Sequence, residues 1–135
     1  MLYEFPFLLE KNTYTKDNPK KEHIKLEYGL IVRIGREFPS GCGGDVGIRI
    51  LHGSFQVSPK NANCWHKSDD FVIEDEPYYE LFSEPYVLTI EGYNENTEND
   101  HTPIIRISIL RPEKLANVAL ATAMYPKEEY VSVPE

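Results

Sequence analysis

Sulfur is scarce in this chain: it has two cysteines, Cys42 and Cys64, and two methionines. Two cysteines cannot build the disulfide framework of a small secreted domain, and both are read as free thiols. No segment reaches the ~18 consecutive apolar residues of a membrane-crossing helix, so no membrane span is expected. The apolar start, Met1 to Leu9, has no basic stretch before it and no small-residue cleavage site, so no signal peptide is expected. Paired metal-ligand motifs (CxxC, HxxxH) are missing, as is the Lys-Ser/Thr that completes a phosphate-binding loop.

A further scarcity is local. Residues 69–100 contain no Lys or Arg but hold eleven carboxylates: Asp69, Asp70, Glu74, Asp75, Glu76, Glu80, Glu84, Glu91, Glu95, Glu98 and Asp100. The chain has 22 acids, 14 bases and a net charge of −8, so the remaining eleven acids and all fourteen bases leave +3 elsewhere. Such an acidic balance argues against direct binding of nucleic acid through its phosphates. A lopsided charge map points instead to a partner, a cation or self-complementary assembly.

What is present is punctuated β pattern. The 135 residues suit one domain, 41% are hydrophobic, and ten prolines break the chain into short pieces. Period-two alternation runs through His23–Glu27, Leu30–Phe38, Val46–Leu51, Gly53–Val57, Tyr78–Phe82, Tyr86–Glu91 and Ile104–Leu110, with a short apolar run at Phe71–Ile73. In the second run Leu30, Val32 and Ile34 are expected on one face and Arg33 and Glu37 on the other. Eight short strands separated by turns predict an all-β fold, an antiparallel β-sandwich or jelly roll. The predicted organisation is an N-terminal arm over 1–22, the sandwich over 23–111, a short helix over 112–124 and an extended tail over 125–135. The arm is read from Pro6 and the polar stretch Lys11 to Lys21, the helix from Pro112, Glu113 and the spacing of Leu115, Val118 and Ala119. An arm with buriable aromatics lies on its own body or on a neighbour.

Candidate sites are few. Ser40-Gly41-Cys42-Gly43-Gly44 precedes a strand, not a helix, and is read as a tight crossover. Cys42, Cys64, His52 and His66 are the only thiols and imidazoles that could pair for zinc or nucleophilic chemistry, and no spacing ties them together. Asn94, Asn96, Glu98 and Asp100 place oxygen ligands at alternate positions, a spacing that can wrap Ca²⁺, against the simpler reading of a solvated hairpin loop. No other cofactor is indicated. Trp65, Tyr78 and Tyr93, with Tyr79, offer a platform for a sugar or peptide, against the simpler reading that they cover sheet edges. Phe5, Phe7 and Leu8 with Lys16, Lys20 and Lys21 form a sticky, basic arm suited to docking on the acidic window of a neighbour.

One longer pattern joins several of these segments. Gly29–Ile34, Phe38–Ile50, Pro59, Trp65, Leu88–Asn94 and His101–Ile107 together resemble small β-sandwich structural proteins of bacterial and archaeal viruses. The resemblance covers roughly residues 23–110. It implies a non-enzymatic particle component (a capsid, decoration or collar subunit) that associates with its own copies or with a larger shell, in a virion or the cytoplasm of the host cell. The alternatives kept open are a carbohydrate- or peptide-binding module and an acidic inhibitor or immunity protein that masks a basic surface.

Overall fold

A computed structural model describes residues 1–114, 116, 117 and 120. It contains ten strands: β1 (Leu2–Pro6), β2 (Lys20–Lys25), β3 (Gly29–Phe38), β4 (Val46–His52), β5 (Phe55–Ser58), β6 (His66–Lys67), β7 (Phe71–Asp75), β8 (Tyr79–Leu81), β9 (Val87–Asn94) and β10 (Ile104–Leu110). They form two five-stranded antiparallel sheets, as the alternation predicts. The first has the order β1-β10-β3-β7, with β8 also on β3; the second has the order β2-β9-β4-β5, with β6 also on β4. The facing sides supply one core, including Ile31, Ile34, Ile48, Ile50, Leu88, Ile90, Ile105, Ile107 and Ile109. Described residues from 112 to 120 are helical where the helix was expected; the rest of that helix and the tail over 125–135 lie outside the described residues.

Two strands were not expected, β1 and β6. Residues 1–22 lie on their own body: β1 pairs with β10 and the segment ends in β2, which pairs with β9. Phe7 and Leu9 are completely buried, and their N–H groups donate to the Pro103 and His101 carbonyls at 2.9 and 2.8 Å. Gly92 makes this possible, because a Cβ there would lie 2.6 Å from the Phe7 ring. Burial of each of these two side chains contributes roughly 2 kcal/mol. Pro6 is tolerated because β1 is an edge strand, where one side of the backbone needs no ladder bond.

The expected faces of β3 change at a bulge. Ser108 pairs with Arg33 but Ile109 pairs with Ile31, so Val32 is the extra residue. Ile31 and Ile34 therefore both face the core, and Leu30 and Val32 are only half-buried.

One flank of the sandwich is split. On that side β3 is paired first by β7 and then by β8, and β4 by β6 and then by β5. The lower end of the sandwich, where β4 turns into β5 and β2 into β3, carries β8. The upper end carries the β3–β4 and β9–β10 connections.

Candidate functional site

The acidic window does not occupy one end. Asp69, Asp70, Glu95, Glu98 and Asp100 lie in upper connections, Glu80 and Glu84 at the lower end, and Glu74 and Glu76 beside Arg33 on the first sheet's outer face. Glu91 is buried on the second sheet between Arg49 and Lys21, and Asp75 points between the sheets. The window crosses from one sheet to the other as β7, β8 and β9 succeed one another, and that scatters its charge. Four of the arginines form ion pairs inside the chain: Arg33 with Glu74 and Glu76, Arg49 with Glu91, Arg106 with Glu4 and Glu37, and Arg111 with Glu27. The fifth, Arg36, is buried.

The six arm residues mostly contact their own chain. Phe7 is in the core and Phe5 stacks with Tyr3, ring centres 6.1 Å apart. Lys20 donates to the Leu8 carbonyl at 2.7 Å and lies over the Phe7 ring, Lys16 lies over Tyr93, and Lys21 reaches Glu91 at 3.8 Å. Leu8 stays exposed.

The oxygen-rich loop after β9 is organised by its own side chains. Asn94 is buried; its amide donates to the Leu9 and Asn99 carbonyls at 2.9 and 3.1 Å, and its Oδ1 accepts from Asn96 N–H at 2.9 Å. Asn96 Oδ1 accepts from the Glu98 and Asn99 N–H groups, and Asp100 Oδ1 accepts from Lys11 N–H. These oxygens, apart from the Glu98 carboxylate, serve backbone donors, the side-chain turn chemistry of Asn and Asp. Among the described residues no group of three or more His, Cys, Asp or Glu is placed to hold a metal ion.

Trp65, Tyr78 and Tyr93 do not share a platform. Tyr93 is fully buried on the outer side of the second sheet, in the space left by Gly47, where a Cβ would run into its ring. Trp65 covers it edge-on at 4.8 Å and also stacks on the Arg49 guanidinium at 4.3 Å. Burial first, then Glu95 and Asp45, push the Tyr93 hydroxyl up to about 12. Gln56 fixes the covering loop: its amide donates to the Pro59, Asn61 and Cys64 carbonyls at 2.7, 3.1 and 3.0 Å. Trp65 is thus a lid on the sheet, whereas Tyr78 stands exposed between β7 and β8.

The lower end carries two aromatic groups, linked through His52 and the Pro85 carbonyl, that period-two reading did not reveal. Phe55 stacks on Tyr79 at 5.7 Å, and the Tyr79 hydroxyl lies 2.6 Å from His52 Nδ1. His52 Nε2 lies 3.4 Å from the Pro85 carbonyl, beside Tyr86. Tyr86 meets Tyr28 edge-on at 6.0 Å, and Tyr28 stacks on Phe82 at 4.8 Å. Phe55 is 53% exposed, Tyr28 40%, Phe82 37% and neighbouring Tyr78 59%. The residues come from four separate strand ends and loops, which is why no linear motif announced them. The carboxylates Glu80 and Glu84 and the cation Lys25 lie near this end.

No protein-family model matches the chain, and no curated protein matches it. What remains are the chain's own chemical groups. Cys42 is fully buried, and its thiol is pushed up to about 11 by burial, then by Asp69 and Asp45, so it stays protonated at neutral pH. Cys64 is exposed, with Asn61 Nδ2 donating to its sulfur at 3.0 Å.

Behind the split flank lies a polar cluster inside the sandwich. Arg36 points inward from β3 with no exposed surface, and neither its Nε nor either Nη has a hydrogen-bond partner in the protein. Asp75 on β7 faces the same interior, held by the Ser58 hydroxyl of the opposite sheet at 2.5 Å. His66 on β6 lies opposite Ile48, hence inward, and its Nδ1 is buried without a partner.

Proposed function

We propose that this β-sandwich acts by binding rather than catalysis, and that its aromatic lower end docks a positively charged partner protein. The carrying observation is the pair of exposed aromatic stacks at this end, Phe55 on Tyr79 and Tyr28 on Phe82. Exposed aromatic patches of this kind are the usual anchors of protein interfaces, and stacked rings are rigid and lose little entropy on binding.

Charge selects the partner. The chain is at −8 and its described ion pairs engage Arg33, Arg49, Arg106 and Arg111, so a second copy meets net repulsion. A surface rich in Lys and Arg interleaved with apolar residues is attracted by Glu80 and Glu84. Its cations can sit over exposed ring faces, each worth about 0.5–2 kcal/mol. A subunit that decorates a larger cationic shell fits this description, and so does a protein that masks a basic active surface.

The test uses the full chain and immobilised peptides that alternate Lys or Arg with apolar residues. Salt-sensitive binding is expected, lost in Phe55→Ser and Phe82→Ser and kept in Leu8→Ser. Binding to none of the peptides overturns the reading. A native mass that doubles, and returns to one copy in Phe82→Ser, overturns it in favour of self-assembly.

A further inference from the structure

Strand β6 is only two residues long, and it carries both a lid and a titratable group. Trp65, next to it, closes over Tyr93 and Arg49 on the outer face. His66, within it, faces inward toward the buried polar cluster. Two pairings, Gly47 with Lys67 and Ile48 with His66, attach β6 to the sheet.

The charged groups acting on His66 are Arg36 from β3 and Asp75 from β7. Its neighbours on β4, Val46, Ile48 and Ile50, are apolar, and Lys67 on its own strand lies opposite Gly47 on the outer face. Arg36 has no hydrogen-bond partner, and the carboxylate nearest in charge, Asp75, is engaged by Ser58. A neutral imidazole fits beside that guanidinium. An imidazolium does not, because two cations would share one carboxylate in a partly buried site.

We propose that Arg36, Asp75 and His66 form an acid-operated latch that keeps β6 closed at neutral pH and releases it, with the Trp65 lid, in acid. Burial first, then Arg36, lowers His66 from 6.5 to about 4, against the opposing pull of Asp75. The folded-state value is depressed, so the closed state binds fewer protons than the released one between these limits. Closure is therefore fully favoured above pH 6.5 and is lost as pH falls toward 4. At tenfold per unit, the opening equilibrium gains at most roughly 300-fold over that interval, and a half-buried ring screened by solvent gains less, down to roughly tenfold.

The chain has one tryptophan, so Trp65 fluorescence reports on the lid alone. The experiment follows Trp65 emission, the His66 ring resonances and far-ultraviolet circular dichroism between pH 8 and 3. The expected result is a red shift of Trp65 that tracks His66 protonation while the β signal is retained. His66→Gln abolishes the shift. Arg36→Met removes one cause of the depression but leaves burial, so His66 titrates closer to its ordinary value and the Trp65 shift moves to higher pH with it. The latch is overturned if Trp65 stays constant while His66 titrates, if the shift survives in His66→Gln, or if it coincides with loss of the β signal.

Discussion

Replacing Arg36 with methionine should make this protein more stable. The guanidinium is lowered from 12.5 to about 10, chiefly by burial and only partly offset by Asp75. At pH 7 it is still protonated, so the folded state carries the whole penalty. At about 1.4 kcal/mol per unit this is about 3 kcal/mol. Methionine keeps a similar length and buries apolar surface in a site whose neighbours include Ile34 and Ile73. Asp75 loses a cation, but it is only half-buried and keeps its bond from Ser58, so about 1 kcal/mol is returned. The expected net is about 2 kcal/mol of stabilisation, within the range seen when buried ionic groups give way to apolar ones. Urea unfolding should show this as a midpoint raised by roughly 1 M with an unchanged slope. Arg33→Met is the control: this exposed arginine pairs with Glu74 and Glu76 on an outer face and should change stability by less than about 1 kcal/mol. A loss of 2 kcal/mol or more in Arg36→Met would refute the reasoning. It would mean that the five donors of Arg36 are well satisfied in solution.

Two further outcomes follow from packing and burial. Gly47→Ala drives a methyl into the Tyr93 ring, which Trp65 pins from above, so it should cost roughly 1–3 kcal/mol and shift Trp65 emission. In native protein at pH 8, a disulfide thiol reagent should label Cys64 rapidly and Cys42 only after unfolding, since Cys42 is buried with its thiol at about 11. Equal labelling rates would contradict that placement.

Much of the architecture could be read along the chain, because strands with one buried face carry period-two patterning and β3, β4, β9 and β10 all do. The exceptions have physical causes. β1 was obscured by Pro6, which only an edge position tolerates, and Phe7 finds its place in the core only because Gly92 lacks a side chain some 85 residues away. β6 is too short to show a period. Simple alternation across β3 does put Arg36 on the face of Ile34, so the buried arginine was within reach of the sequence; its lack of a partner was not. The aromatic end was invisible because Tyr28, Phe55, Tyr79, Phe82 and Tyr86 meet only when β3, β4, β8 and β9 converge. Tyr93 was misplaced because an outward position on a strand is not an exposed one when a loop closes over it.

The edges of the two sheets set how this protein behaves at high concentration. An open edge invites another chain to add a strand and begin an aggregate. On the second sheet, β2 blunts that risk with Lys20, Lys21 and Lys25. On the first, β1 has Pro6, but β7 presents Phe71, Val72 and Ile73, the most adhesive edge among the described residues. Asp69 and Asp70 precede that apolar triplet, and Glu74 and Glu76 follow it on the outer face, while Asp75 turns inward. In this role the carboxylates are gatekeepers: their repulsion keeps two copies from zipping together along β7 while each still folds freely.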